Sequence, residues 1–369
     1  MNFASKLKNW YIINQRNLPW RSTTDPYKIW VSEVILQQTR IDQGHDYYLR
    51  FTARFPDVKS LANASEDQVL KMWQGLGYYS RARNMHTTAK TIVDVHGGKF
   101  PETYIELIAL KGIGTYTAAA IVSICFGYPT PTVDGNVLRV ISRLFAIEEP
   151  IDKAVGKKMI FEALNEIFDL ENPGIFNQAL MDFGAMVCKP KSPSCHECIF
   201  KMNCAAFSQS LVSKLPIKSK ISNQLVRHFH YLVVLFEKNG ELFTYLNKRG
   251  NKDIWAGLYD FPMIETINEF SPEQLTSTER WQEFFVEGNP ELLNVSAVYK
   301  HQLSHQLLLS TFFLIRTDEK TAWHDPVIMI RLKEVYQYPM PRLVDRYITE
   351  NNALRKVLEN IYPGLHDKN

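Results

Sequence analysis

Leu110-Lys111-Gly112-Ile113-Gly114-Thr115-Tyr116-Thr117 joins a helical stretch, Tyr104 to Ala109, to an apolar run that continues through Ile124. Two glycines two residues apart let the backbone turn tightly and aim the free N–H groups of the following helix outward, where a phosphate oxygen fits. The stretch reads as a helix, a glycine hairpin and a second helix. Taken alone, a plain loop between two core helices accounts for it equally well, so the surrounding sequence has to decide.

Eighteen residues beyond Tyr116 comes Val133-Asp134-Gly135-Asn136-Val137-Leu138-Arg139-Val140. The plain role for Asp134 is to cap the helix that follows. Upstream, Trp30-Val31-Ser32-Glu33-Val34-Ile35-Leu36-Gln37-Gln38-Thr39 carries one carboxylate among apolar residues. An ionised Glu is costly to bury, so Glu33 is expected to be protonated, paired or functional. A structural ion pair is the plain alternative. Downstream, four of the five cysteines fall in one run, Cys188-x6-Cys195-x2-Cys198-x5-Cys204. Short loops close at small entropic cost, and four thiolates so spaced suit one metal centre. The chain shows no signal peptide, which favours metal over disulfides, but the spacing does not separate zinc from iron and sulfur.

With 369 residues, 45% of them hydrophobic and 22% charged, the chain is long enough for two cored domains. No apolar run approaches the roughly 20 residues that span a bilayer, and Met1-Asn2-Phe3-Ala4-Ser5-Lys6 lacks a secretory h-region, so no membrane association and a cytoplasmic location are expected. A net charge of +3 is too mild to announce a nucleic-acid binder. Residues 1–215 hold 24 Lys and Arg against 20 Asp and Glu, leaving 18 against 19 for the remainder, so DNA contacts are expected mainly from the first part.

Apolar residues recur at helical spacing up to about residue 205, punctuated by Asp25-Pro26 and by a capping box at Ser65 and Gln68. An all-α domain over 1–207 and a linker over 208–226, rich in Ser and Lys, are expected. From 227 to 369 the pattern is α+β. His228 to Phe236 is β-branched and aromatic, Asn239-Gly240 is a hairpin turn before Leu242 to Leu246, Val295 to Tyr299 and Leu307 to Ile315 look like a strand pair, and Leu343 to Ile361 like a helix. Residues 264–290 carry no readable pattern.

The spacing of Asp134 from the glycine hairpin, together with the cysteine run, resembles the iron–sulfur members of the helix-hairpin-helix DNA glycosylases. The string Ser32-Glu33-Val34-Ile35-Leu36-Gln37-Gln38-Thr39 is similar to the MutY-type adenine glycosylase branch. The resemblance implies a 4Fe-4S cluster on Cys188, Cys195, Cys198 and Cys204. Branch members that also cut the strand carry a lysine where this chain has Tyr116, and a phenol forms no Schiff base, so a monofunctional enzyme is implied. The implied substrate is double-stranded DNA with adenine opposite 8-oxoguanine or guanine, acted on in base excision repair by a monomer.

Residue roles follow from the same likeness. The N-glycosidic bond breaks when the departing base is protonated and the sugar cation is stabilised, and two carboxylates in different environments divide that labour. Glu33 is expected to protonate adenine, and Asp134, at a polar helix start, to stay ionised and stabilise the cation, with Tyr116 and Asn136 orienting them. Trp20 and Arg21 in Leu18-Pro19-Trp20-Arg21, and Leu76 and Tyr78 in Gln74-Gly75-Leu76-Gly77-Tyr78-Tyr79-Ser80-Arg81, match family segments that meet DNA. Tyr78 is implied to wedge into the duplex beside the lesion, with Gln38 and Leu76 near the damaged guanine. Gly112 and Gly114 are implied to meet phosphate, and Gln178 to hold the flipped adenine. Ile254-Trp255-Ala256-Gly257-Leu258-Tyr259-Asp260-Phe261-Pro262 resembles a Nudix-like fold, without the glutamate box of a hydrolase. His301-Gln302-Leu303-Ser304-His305 matches the loop that tells 8-oxoguanine from guanine, with Leu303 in place of the family's aromatic, and Ser304 and His305 as its hydrogen-bonding residues. The alternatives are an endonuclease-III-like glycosylase/lyase, working through Lys111, and a non-catalytic iron–sulfur DNA-binding protein.

Overall fold

The computed structural model describes residues 2–219, 224–251, 253–285, 289–318, 327–351, 354 and 356. The helices run α1 Phe3–Asn14, α2 Pro26–Leu36, α3 Ile41–Arg54, α4 Val58–Asn63, α5 Glu66–Trp73, α6 Ser80–His96, α7 Tyr104–Ala109, α8 Thr115–Cys125, α9 Gly135–Leu144, α10 Ala154–Ile167, α11 Pro173–Met186, α12 Ala205–Ser208, α13 Pro272–Thr276, α14 Glu279–Phe284 and α15 Arg342–Glu350. The strands are β1 Leu225–Lys238, β2 Glu241–Lys248, β3 Tyr259–Asp260, β4 Met263–Thr266, β5 Glu291–Val295, β6 Tyr299–Gln302, β7 Gln306–Arg316 and β8 Val327–Arg331. Two compact units form, one of Met1–Asn63 with Asn84–Ile221 and one of Ala64–Arg83 with Ser222–Asn369.

Among the described residues the first unit is helical throughout, as its apolar spacing implies. Its hub is α11, which packs on α1, α8 and α9 and buries Phe176 through Gly184 without interruption. A helix apolar on all sides belongs at the centre of a core. A Cβ on Gly184 would lie 2.7 Å from that of Asn136, so only glycine lets α9 approach this closely.

The division at residue 207 looks different in three dimensions. Leu215 is buried, Arg143 Nε donates to its carbonyl, Ile151 N donates to the Ile217 carbonyl, and Ser219 N donates to Asp152 Oδ1, each at 3.0 Å. The polar composition of the expected linker concealed these backbone partners, and the first unit runs on through it. Residues 220–223 of that linker lie outside the described residues. The capping box at Ser65 and Gln68 forms as expected, yet the helix it starts, α5, groups with the second unit.

The second unit is built on a mixed sheet of order β3-β2-β1-β7-β5, with β4 on β1, β6 on β7 and β8 on β2. β1 pairs parallel with β7 over Leu225 to Leu235 and antiparallel with β2 across the Asn239-Gly240 turn. Alternate residues of β1 feed opposite faces. Phe229, Tyr231, Val233 and Leu235 join a core closed by α15. Leu232, Val234 and Phe236 join another closed by Leu275, Trp281, Phe284 and Phe285 of the 264–290 region. The expected strand Val295 to Tyr299 divides instead, β5 ending at Val295 and β6 starting at Tyr299. The closing helix is described to Glu350, and most of the expected stretch to Ile361 lies outside the described residues.

Candidate active site

Asp25 caps α2, accepting from Tyr27 N at 2.9 Å, with Pro26 at the first helical position. The helix is buried from Ile29 to Ile35, and Glu33 with it, at 7% exposed. Burial pushes the Glu33 carboxyl above the usual carboxylate range. A hydrogen bond with the Tyr116 hydroxyl and the charge of Arg21 pull it back, and Asp134 pushes it further up. Tyr116, in the first turn of α8, is itself pushed far above the usual phenol range by burial and by the charges of Glu33 and Asp134. Its hydroxyl lies 3.2 Å from Met181 Sδ on α11.

Asp134 caps α9. Its Oδ1 accepts from Asn136 N at 2.9 Å and Val137 N at 2.8 Å, and its Oδ2 accepts from Asn136 Nδ2 at 2.7 Å. Burial raises its carboxyl, and those three donors, with Arg139 behind them, oppose the rise. The expected polar helix start is therefore also a desolvated one, and the donors rather than water favour the anion. Arg139 joins this cap to the chain ahead of the cysteines. It donates to Asn136 Oδ1 at 2.8 Å, to the Gly184 carbonyl at 2.7 Å and to the Cys188 carbonyl at 2.7 Å.

Glu33, Tyr116, Asp134 and Asn136 line one cavity of about 370 Å³, together with Trp20, Arg21 and Gln38. Trp20 is otherwise buried, edge-on to Tyr48. Gln38 sits just past α2 with φ at 60°, a left-handed backbone uncommon outside glycine and typical of functional strain. Gln178 is neither at the surface nor in this cavity wall. It is buried in α11, its Oε1 accepting from the Tyr11 hydroxyl at 3.0 Å. The sequence reading passed over Arg16, Met181 and Asp182. Asp182, fully buried, holds Arg16 at 2.5 Å and Arg21 at 3.0 Å, and so fixes two guanidinium groups at the cavity. The signal was present: Asp182 is a lone carboxylate in an apolar helix, as Glu33 is, and Gln178, Met181 and Asp182 share one face at i, i+3 and i+4.

The glycine hairpin folds as read. Gly112 has φ of 81°, and a Cβ there would stand 2.6 Å from that of Asn84. Gly112 and Gly114 are exposed on either side of buried Ile113. Thr88 Oγ1 donates to the Lys111 carbonyl at 2.6 Å and pins the turn.

In the second unit, Leu76, Tyr78, Ser304 and His305 line a further cavity of about 720 Å³ with Trp255 and His301. Gly75, Gly77 and Tyr78 all have positive φ. Leu76 is buried, Tyr78 is 52% exposed, and the Tyr78 hydroxyl lies 2.6 Å from Ser304 Oγ. Arg81 donates to the carbonyls of Leu76 and Gly77, at 3.3 and 3.1 Å, holding the turn. Leu303 packs against the sheet core.

All four cysteines of the run are half-buried. Burial raises the thiols of Cys195, Cys198 and Cys204, and Cys188, Cys198 and Cys204 pack against the same core. Arg143 Nη1 donates to Cys188 Sγ, and Phe200 N to Cys198 Sγ, both at 3.4 Å. Among the described residues no three His, Cys, Asp or Glu side chains close around a single-ion site. Cys125, on α8, is a half-buried thiol pushed up to about 12 by burial. No described helix is long and apolar enough to cross a membrane.

Residues 31–167 match the HhH-GPD superfamily base excision DNA repair proteins, and residues 231–350 match the NUDIX domain. The adenine DNA glycosylase of Buchnera aphidicola subsp. Baizongia pistaciae is 31% identical over 334 residues, covering 88% of this chain and 91% of the relative. That of Schizosaccharomyces pombe is 32% identical over 329 residues, covering 74% of this chain and 71% of the relative. Among solved structures, a thermostable thymine-DNA glycosylase aligns with a TM-score of 0.51 at 26% identity, covering 56% of this chain and 95% of its own.

Proposed function

This chain belongs to the adenine DNA glycosylases, and on that premise we propose that it excises adenine lying opposite 8-oxoguanine or guanine in double-stranded DNA. It is a base-excision glycosylase, hydrolysing an N-glycosidic bond. The observation that carries the residue roles is the pairing of Glu33 and Asp134 in one cavity, in unlike settings. Glu33 sits in an apolar helix where the neutral acid is favoured, ready to protonate the departing base. Asp134 accepts three hydrogen bonds that suit an anion, and faces the cation that develops on the sugar. Tyr116 and Asn136 orient the pair through the bonds described above.

The cavity wall includes no lysine among the described residues, and Lys111 sits exposed on the hairpin, which favours hydrolysis over the lyase alternative. Gly112, Gly114 and the free N–H groups at the start of α8 suit a phosphate. Arg21, Trp20 and Gln38 line the cavity that receives a flipped base, and Gln178, held by Tyr11, lies outside its wall. Adenine is an undamaged base, so selection falls to its partner. Tyr78 and Leu76, with Ser304 and His305 across the second cavity, supply that inspection. The chain acts as a monomer.

Cys188, Cys195, Cys198 and Cys204, spaced as in the iron–sulfur members of the helix-hairpin-helix glycosylases, suit a 4Fe-4S cluster: all four are half-buried thiols, and Cys188, Cys198 and Cys204 pack against one core, a donor set that such a cluster takes. The four cysteine thiolates would hold such a cluster, which would then tie the loop together. Iron and acid-labile sulfide contents of the purified protein test this assignment.

Duplexes pairing adenine with 8-oxoguanine, guanine and cytosine, incubated with the protein and then treated with alkali, test the whole reading. Strand scission is expected for the first two and not the third. Equal scission for all three, or none, overturns it. Glu33→Gln should abolish base release and leave binding to the lesion duplex intact in a gel-shift titration.

A further inference from the structure

We propose that Asn177 is a positioning residue for Asp134: its carboxamide ties the chain that enters Asp134 to α8, the helix that carries Tyr116, and so sets where the carboxylate stands in the cavity. The inference rests on Asp134 as the group that stabilises the sugar cation. Asn177 lies on α11 and is 1% exposed. Its Oδ1 accepts from Thr132 N at 3.0 Å, and its Nδ2 donates to the Thr130 carbonyl and to Ser123 Oγ, both at 2.9 Å. A backbone donor on one side and a backbone carbonyl on the other leave the amide a single orientation. Leucine, of similar volume, offers neither group, and an aspartate carboxylate only accepts.

Each bond has a place in the site. Ser123 follows Tyr116 by seven residues, two turns of α8, and so marks the same face of that helix. A Cβ on Gly174, one turn before Asn177, would stand 2.7 Å from the Ser123 carbonyl oxygen, so α11 meets α8 here with no side chain between them. Thr130 and Thr132 lie in Pro129-Thr130-Pro131-Thr132-Val133, the stretch that leads from α8 into Asp134. Pro129 and Pro131 have no N–H to offer, and a buried carboxamide fixes a stretch poor in backbone donors. On its other side the Asp134 carboxylate is bound to the start of α9, where Gly184 of α11 meets Asn136. One residue, Val133, separates the braced Thr132 from this cap. Release at Thr132 leaves the cap bonds in place but frees the backbone of Thr132 and Val133, and the carboxylate then shifts with α9 relative to α8. A misplacement of about 1 Å at a reacting centre costs about a hundredfold in rate.

Asn177→Ala should therefore slow single-turnover release of adenine opposite 8-oxoguanine by about a hundredfold. Its affinity for the same duplex, from gel-shift titrations with Glu33→Gln in both proteins, should not change. In an Asp134→Asn background Asn177→Ala should slow nothing further, since a residue that acts only through another adds no loss once that partner is gone. Ser123→Ala removes one of the three bonds and should slow the native enzyme by about fivefold, the scale of one hydrogen bond, while leaving the rate of Asp134→Asn where it was. It carries the same test if Asn177→Ala does not fold, and a native rate in it then overturns the proposal. A native rate in a folded Asn177→Ala does so too, as does an equal loss with Asp134 already replaced, or a duplex affinity that falls in step with the rate. Should Asp134→Asn alone release adenine at the native rate, the role of Asp134 fails. A slow Asp134→Asn beside a fast Asn177→Ala fails the brace alone, so the two failures are told apart.

Discussion

Asp134 carries two duties on one side chain. Its Oδ1 caps α9 through two backbone N–H groups, and its charge faces the cavity. Asparagine caps nearly as well as aspartate, so Asp134→Asn separates the duties. The variant should melt within about 1 kcal/mol of the native protein while its single-turnover rate falls by about two orders of magnitude or more, the usual effect of losing one electrostatic stabiliser. An unchanged rate would remove Asp134 from the chemistry. At this scale the sequence was most legible where a residue type violated its surroundings: Glu33, lone and acidic in an apolar helix, was found that way. Asp182 broke the same rule and was passed over, although it stands only six residues before Cys188. Gln178 shows the opposite limit. Glutamine is most often exposed, and only the packing of α11 against α1 reveals that Tyr11 holds it.

Among the elements, β1 was read with the right type and turn, and its alternation assigns the two faces of the sheet. The helices α13 and α14 went unread because five and six residues are too few for a 3.6-residue period to register. One trace did exist: Ser271-Pro272-Glu273-Gln274 is a capping box and forms one. β1 also carries a buried imidazole. His230 lies between Phe270 and Phe313, with Nε2 2.9 Å from Thr266 Oγ1, and burial pushes its pKa down to about 4, with His228 adding to the effect. The folded state therefore favours the neutral ring while the unfolded chain takes a proton near pH 6.5. The contribution to stability is complete above that pH and is lost as pH falls from about 6.5 toward 4, to a limit of about 3 kcal/mol. Denaturant titrations at pH 7 and pH 4.5 should show a smaller difference for His230→Gln than for the native chain. An equal difference would mean that other groups govern the acid loss.

At the scale of the whole molecule, the resemblance read from the sequence pointed to two domains in succession, and the chain is not quite that. Residues 64–83 lie early in the sequence, yet they belong to the unit that holds the sheet. Asp67 pairs with Lys248 at 2.8 Å and accepts from Tyr259 at 3.0 Å, Gln74 Nε2 donates to Asp345 at 2.9 Å, and Arg83 donates to the Ala256 carbonyl. A linear reading has no access to this, since contacts 173 to 271 residues apart leave no local pattern. Removing residues after 219 strips α5 and the Tyr78 turn of these partners. The shortened protein should still release adenine, more slowly, and should lose its preference between 8-oxoguanine and guanine as the opposing base, measured from single-turnover rates on the two duplexes. Retained preference would assign the inspection to residues outside the sheet. The interleaving also constrains recombination between relatives. A chimera that exchanges only the C-terminal half carries a donor's Lys248, Tyr259 and Asp345 into the company of a foreign Asp67 and Gln74, so a faithful graft needs two exchanged segments, and selection should retain crossovers that move both together.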